Sequence, residues 1–194
     1  MNPARLCPHL VVIAIHDLSR KLQGLDENEC YLREGAARRL CRAAELLPEG
    51  HRMKIWEAHR PTRVQRQLFA DYLTKLRKEH PEWPEKKLES ETSLFVARPN
   101  KVAPHLCGGT VDLTVVGPDG EDLDMGTEYL LFDDRTPTGS DLVSKAAKGN
   151  RKLLAEAMSR AGFVNYELEW WHWSYGDRYW AFKLRKPAAI YVPT

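Results

Sequence analysis

The amino-acid sequence predicts an α+β fold, a single domain over residues 1–194 with a largely antiparallel sheet and helices packed against it. The order of elements carries this reading: strands fall between helices, and the last strands pair around a turn at Gly176-Asp177. Size and composition agree with it. A chain of 194 residues buries a core without disulfide or metal staples, and 43% hydrophobic with 29% charged residues of mixed sign excludes wholesale disorder and fibrous classes.

Leu10 to Ile15 is an apolar run broken at once by His16 and Asp17, too short to span a bilayer, and predicts a buried strand. It lies in residues 1–29, which form an N-terminal extension packed on the domain. Residues 33–47 place Ala37, Leu40, Cys41, Ala44 and Leu47 at helical spacing until Pro48 and Gly50 stop them. Met53, Ile55 and Glu57 alternate as a strand that Pro61 ends, which sets Arg60 at the strand end. Thr62 then caps a helix reaching His80, with Val64, Leu68, Phe69, Tyr72, Leu73 and Leu76 on one face.

Pro81, Pro84, Pro99 and Pro104 lie amid charges, so residues 81–104 predict a long loop with at most a short helical turn, placed to act as a lid. In GTVDLTVV the side chains of Val111, Leu113 and Val115 point one way and those of Thr110, Asp112 and Thr114 the other, as a strand requires. Residues 117–120 make a turn. Ser140 or Asp141 opens a helix that runs to Ala161 and stops at Gly162. Phe163 to Trp173 and Tyr179 to Leu184 complete the set as paired strands.

A net charge of +2 without a dense basic block argues against nucleic acid as the main partner, and no segment is long enough for a membrane span. No signal peptide is evident at the N-terminus, so the cytoplasm is the expected compartment. Cys7, Cys30, Cys41 and Cys107 match neither a metal pair nor a disulfide framework, and reduced thiols are expected.

The chemistry concentrates in two segments, PHLCGGTVDLTV with His105 and Asp112, and ELEWWHW with Glu169 and His172. Two imidazoles and a carboxylate suit a hydrolytic zinc ion, and a further carboxylate suits a proton carrier beside it. Asp112 is a carboxylate in an otherwise apolar strand, so it must be paired, hydrogen-bonded or metal-bound. Gly108-Gly109 lets the backbone turn tightly enough for loop and strand to converge on one point. Glu169 and His172, three apart, face opposite sides of a regular strand, so both reach one metal only if the strand ends or bulges near Trp170; otherwise they are an ion pair on a hydrophobic strand. Arg60, held ahead of Pro61, is suited to stabilising a developing oxyanion, and Cys107 is expected to be structural.

HRP at 59–61, HLCGGTVDLT at 105–114, LDMGT at 123–127 and EWWHW at 169–173, in that order, resemble the zinc-dependent D-alanyl-D-alanine dipeptidases, a branch of a wider group of peptidoglycan-cleaving peptidases. The resemblance runs from about residue 30 to the end. It implies one zinc ion per chain held by His105, Asp112 and His172, with Glu169 moving a proton from water to the leaving amine and Arg60 polarising the scissile carbonyl. It also implies a small D-Ala-containing peptide as substrate.

Two departures bear on specificity. Ala103 and Pro104 stand where the family commonly has serines. Tyr129-Leu130 stands where it usually has Phe-Asp, whose carboxylate meets the substrate's free amine, and Asp133 or Asp134 replaces that carboxylate only if the loop has shifted. A longer peptidoglycan peptide, cut as a carboxypeptidase or endopeptidase substrate, is therefore the alternative. Further alternatives are a zinc-containing domain that binds cell-wall peptides without cutting them, and a structural or regulatory zinc site closed by Cys107.

Overall fold

The computed structural model describes residues 1–99 and 103–193. Its frame is a five-stranded sheet in the order β1-β2-β3-β5-β4, formed by β1 (Val11–Ile13), β2 (Arg52–Glu57), β3 (Thr110–Val116), β4 (Val164–Asn165) and β5 (His172–Ser174). Three of the four pairings are antiparallel, as expected; the edge pairing of β1 with β2 is parallel. β1 thus joins the sheet itself. Short helices α1 (Pro3–Leu6) and α2 (Asp17–Gln23) flank it.

Strand β3 is the centre of the sheet, and all seven of its residues are buried. Its apolar set, Val111, Leu113 and Val115, joins a core with Leu40 and Ala44 of α3 (Glu34–Glu45) and Leu154 and Met158 of α6 (Lys145–Arg160). Its polar set is buried as well, which obliges Thr110 and Asp112 to find partners.

Three predicted elements take another form. The predicted loop over 81–104 holds an 11-residue helix, α5 (Glu85–Phe95). Pro84 sits at its N-cap and Glu85 in its first turn, while Leu88 and Thr92, one turn apart, are buried. The prolines bracket the helix instead of interrupting it. The part of that loop at residues 100–102 lies outside the described residues.

The strand predicted over Tyr179 to Leu184 is a helix, α7 (Arg178–Lys183). Asp177 caps it by accepting from Trp180 N at 2.7 Å, so Gly176-Asp177 starts a helix and closes no hairpin. The strand predicted from Phe163 to Trp173 survives only as β4 and β5, with a turn between them. The third predicted helix begins later than expected, at Lys145, because the Ser144 hydroxyl accepts from Ala147 N.

Helix α4 (Thr62–Glu79) matches its predicted span, with Pro61 at the capping position and Thr62 as its first helical residue. Cys7 and Cys41 form a disulfide that ties the end of α1 to α3, which corrects the expectation of four reduced thiols; Cys30 and Cys107 are free and buried. No helix among the described residues is long and apolar enough to cross a membrane.

Two glycines open the path into β3. Gly108 (φ 70°) ends the 3-10 turn Pro104–Cys107 in the left-handed region. Gly109 lies so close to the next strand that a Cβ there would stand 2.1 Å from the carbonyl oxygen of Tyr175.

Candidate active site

The 3-10 turn delivers His105, the middle of β3 delivers Asp112, and the first residue of β5 is His172, paired directly with Asp112 across the sheet. The strand break demanded by the Glu169–His172 spacing is present. Glu169 lies in a turn, with its N–H donating to Tyr166 O at 2.9 Å and its own carbonyl accepting from His172 N at 3.2 Å, and β5 begins only after it. Residues that would diverge on a continuous strand therefore meet: Glu169 Oε2 is 3.6 Å from His172 Nδ1.

His105 Nε2 stands 3.4 Å from Asp112 Oδ2, and His172 Nδ1 stands 2.9 Å from Asp112 Oδ1. One ligand atom from each of the three residues lies within 4.8 Å of the others, and all three residues are buried. His105 Nδ1 is 2.9 Å from the Ala58 carbonyl, a contact that makes Nδ1 the protonated nitrogen and leaves the Nε2 lone pair facing Asp112.

The set fits a divalent cation. Asp112 Oδ1 is fully buried and, although close to His172, accepts no hydrogen bond. A buried carboxylate oxygen 2.9 Å from an imidazole nitrogen, with no well-aligned hydrogen bond between them, is a pair of ligand atoms suited to an ion once the ring is neutral.

Burial works to raise the Asp112 carboxyl, but His105 and His172 in their protonated, charged forms outweigh it and hold Asp112 well below the usual carboxylate range. Glu169 shifts the other way. Burial, reinforced by Asp112 and only partly opposed by His172, raises its carboxyl above the ordinary glutamate value.

These groups open onto a cleft of about 1140 Å³ that Arg60 also lines. Arg60 is held by two groups that sequence reasoning did not single out as its partners. Its Nε and Nη2 donate to Glu57 Oε2 at 3.2 and 2.7 Å, and Nη1 donates to Gln65 Oε1 at 2.8 Å. The alternation that placed Glu57 on a buried strand face was the available signal.

Sequence reasoning also missed the contact of Tyr129, whose hydroxyl donates to Asp112 Oδ2 at 3.0 Å. Leu130 lines the cleft at φ 63°, with 43% of its surface exposed. Neither Asp133 nor Asp134 lines it, and Asp133 is paired with Arg135. Cys107 is buried, and the Gly109 N–H donates to its sulfur.

The profile of the D-ala-D-ala dipeptidase family, peptidase M15, matches residues 13–188. Among curated proteins, the D-alanyl-D-alanine dipeptidase of Enterococcus faecium is 30% identical over a stretch covering 73% of this chain and 71% of that protein. The D-alanyl-D-alanine dipeptidase of Enterococcus faecalis is 34% identical over 41% of this chain, a stretch that spans only 43% of that relative's length. Among solved structures, a vancomycin-resistance D,D-pentapeptidase VanY in complex with Zn(II) aligns at a TM-score of 0.46 and 14% identity, over 82% of this chain and 81% of that one. With the family profile covering nearly the whole chain, the protein belongs to the D-ala-D-ala dipeptidase family of peptidases.

Proposed function

We propose that the protein is a zinc-dependent peptidase that hydrolyses a peptide bond in a short D-amino-acid-containing peptide. The observation that carries this is the convergence of His105, Asp112 and His172 beside a carboxylate, Glu169, that is raised and not needed as a ligand. His105, Asp112 and His172 are the residues that would hold zinc, which supplies Lewis acidity to a water and to the scissile carbonyl when bound.

The protein's own groups do the rest. Glu169 takes a proton from the attacking water, holds it on a carboxyl whose affinity for protons is increased by burial, and gives it to the leaving amine. Arg60 directs its guanidinium toward the oxygen on which charge develops, and its anchorage to Glu57 and Gln65 means that no reorientation is needed as that charge appears. Glu169→Gln should retain zinc and lose about 10²- to 10⁴-fold in kcat. Undiminished turnover would remove Glu169 from the mechanism. The same intact shuttle disfavours a domain that only binds cell-wall peptides.

Leu130 favours a second reading of the substrate. A free dipeptide brings an ammonium into the cleft, and an apolar side chain cannot meet it. Of the carboxylates lining the cleft, Asp112 and Glu169 belong to the candidate metal centre, Glu57 is committed to Arg60, Asp177 accepts from Thr110, Ser174 and Trp180, and Asp71, exposed on α4, accepts from Gln67. A peptide extended on its N-terminal side carries no ammonium at that point. Hydrolysis rates for D-alanyl-D-alanine, its N-acetyl form and a muramyl stem peptide separate the two, and a preference for the free dipeptide would overturn the inference from Leu130.

A further inference from the structure

The Asp112 carboxylate is asymmetric. Oδ1 accepts no hydrogen bond, whereas Oδ2 receives the Tyr129 hydroxyl at 3.0 Å. The phenol ring is clamped where it stands, stacked on Trp56 with centroids 4.7 Å apart and set edge-on to Trp171 at 5.5 Å. Trp56 meets Trp170 edge-on at 5.8 Å, and the Trp170 indole N–H donates to Thr127 Oγ1 at 2.8 Å.

The segment carrying Tyr129 is therefore fastened to the turn that carries Glu169 and leads to His172. A ring that cannot slide delivers its hydrogen bond from one direction only. A carboxylate oxygen can only accept here, so the phenol is the donor of this bond.

We propose that Tyr129 is a positioning residue of the metal centre: its hydroxyl fixes the rotation of the Asp112 carboxylate, engaging Oδ2 and leaving Oδ1 for the ion. A carboxylate free to rotate spends part of its time with neither oxygen aligned, and the hydroxyl removes that freedom before the ion arrives. Groups that orient a ligand in this way characteristically change metal affinity by about 10- to 100-fold. A phenylalanine at 129 would preserve the stack on Trp56 and lose only this function.

The inference rests on the zinc reading, and the test separates the two. Zinc affinity of the parent, Tyr129→Phe, Tyr179→Phe and His172→Ala is measured by competition with a chromophoric chelator. Visible spectra of the cobalt-substituted proteins are recorded at a temperature where all are folded. Tyr179→Phe is the comparator, because it also removes one hydroxyl donor of the same cleft, to the Asn165 carbonyl, with no bond to the side chain of any of the three ligands.

Tyr129→Phe should bind zinc about 10- to 100-fold more weakly and shift the cobalt band, with Tyr179→Phe unchanged in both. Parental affinity and an unshifted band in Tyr129→Phe overturn the positioning role while leaving the metal site standing. Equal weakening in both tyrosine variants assigns the effect to general packing and likewise overturns it. If the parent binds no zinc, or His172→Ala binds it as tightly as the parent, the metal reading fails and the role of Tyr129 falls with it.

Discussion

Glu57 is the residue whose alteration tests most sharply how Arg60 is held. The guanidinium spends three of its N–H groups on Glu57 and Gln65, and Gln65 is itself fixed by donating to the Ala97 carbonyl at 2.6 Å. The side chains of Arg60 and Glu57 are only 15% and 2% exposed, so water cannot take over if one partner is lost. Breaking such a buried pair costs about 3–5 kcal/mol, against about 0–1 kcal/mol for an exposed one. Glu57→Gln keeps the volume and one oxygen acceptor, which places it near the lower end, about 3 kcal/mol. For a chain of this size that is a fall in Tm of roughly 6–12 °C.

A double-mutant cycle with Glu57→Gln, Arg60→Gln and both, read by urea unfolding, should give a coupling of about 2–3 kcal/mol. Glu57→Gln should also lower kcat/KM while zinc content stays intact, because the arginine loses its aim and the ligands do not. A coupling below about 1 kcal/mol together with unchanged kcat/KM would refute the reasoning, since it would place the pair among ordinary surface contacts.

Two further outcomes concern the backbone and the cysteines. Gly109→Ala should cost more than about 3 kcal/mol or prevent folding, because its methyl would meet the Tyr175 carbonyl at 2.1 Å, whereas Gly139→Ala, with nothing within 4 Å, should stay within about 0.5 kcal/mol; equal melting temperatures would contradict this. Thiol titration of unreduced protein should find two groups in denaturant and four after reduction; Cys107 should be inert to the reagent in the native state, where burial pushes its thiol up to about 11. Four thiols in denaturant without reductant would exclude the Cys7–Cys41 bond, whose loop length corresponds to about 4 kcal/mol of stabilisation by chain entropy.

The four central groups were legible because their chemistry is costly to bury without a purpose. A carboxylate inside an apolar strand and a histidine among tryptophans are conspicuous, and the three-residue spacing of Glu169 and His172 demanded a strand break that the structure contains. Proline misled where it brackets a helix: Pro84 before α5 reads as loop composition, since its compatibility with a helix start depends on the residues C-terminal to it. Asp177 beside a glycine reads as a turn, and only the burial of Trp180 reveals a cap. The Cys7–Cys41 bond joins an extension to a helix, a proximity that spacing does not encode. In the sequence, Tyr129 stands out only as a departure from the family's usual residue. Its hydroxyl acquires a role from a strand that precedes it in the sequence, through a contact no local pattern announces.

The three candidate ligands come from β3, the turn before it and the first residue of β5, and the pairing of β3 with β5 is what brings Asp112 opposite His172. No single hairpin or helix carries the set. A chain that has lost its central pairing has lost the centre as well, so opening of the sheet should abolish binding and a bound ion should stabilise the whole sheet. Loading should protect the amides of β3 from hydrogen exchange as strongly as it raises global stability. In a cell, an ion bound by the folded chain alone would lower the unfolded population, so metal supply would help to set how much of the protein is open to proteolysis.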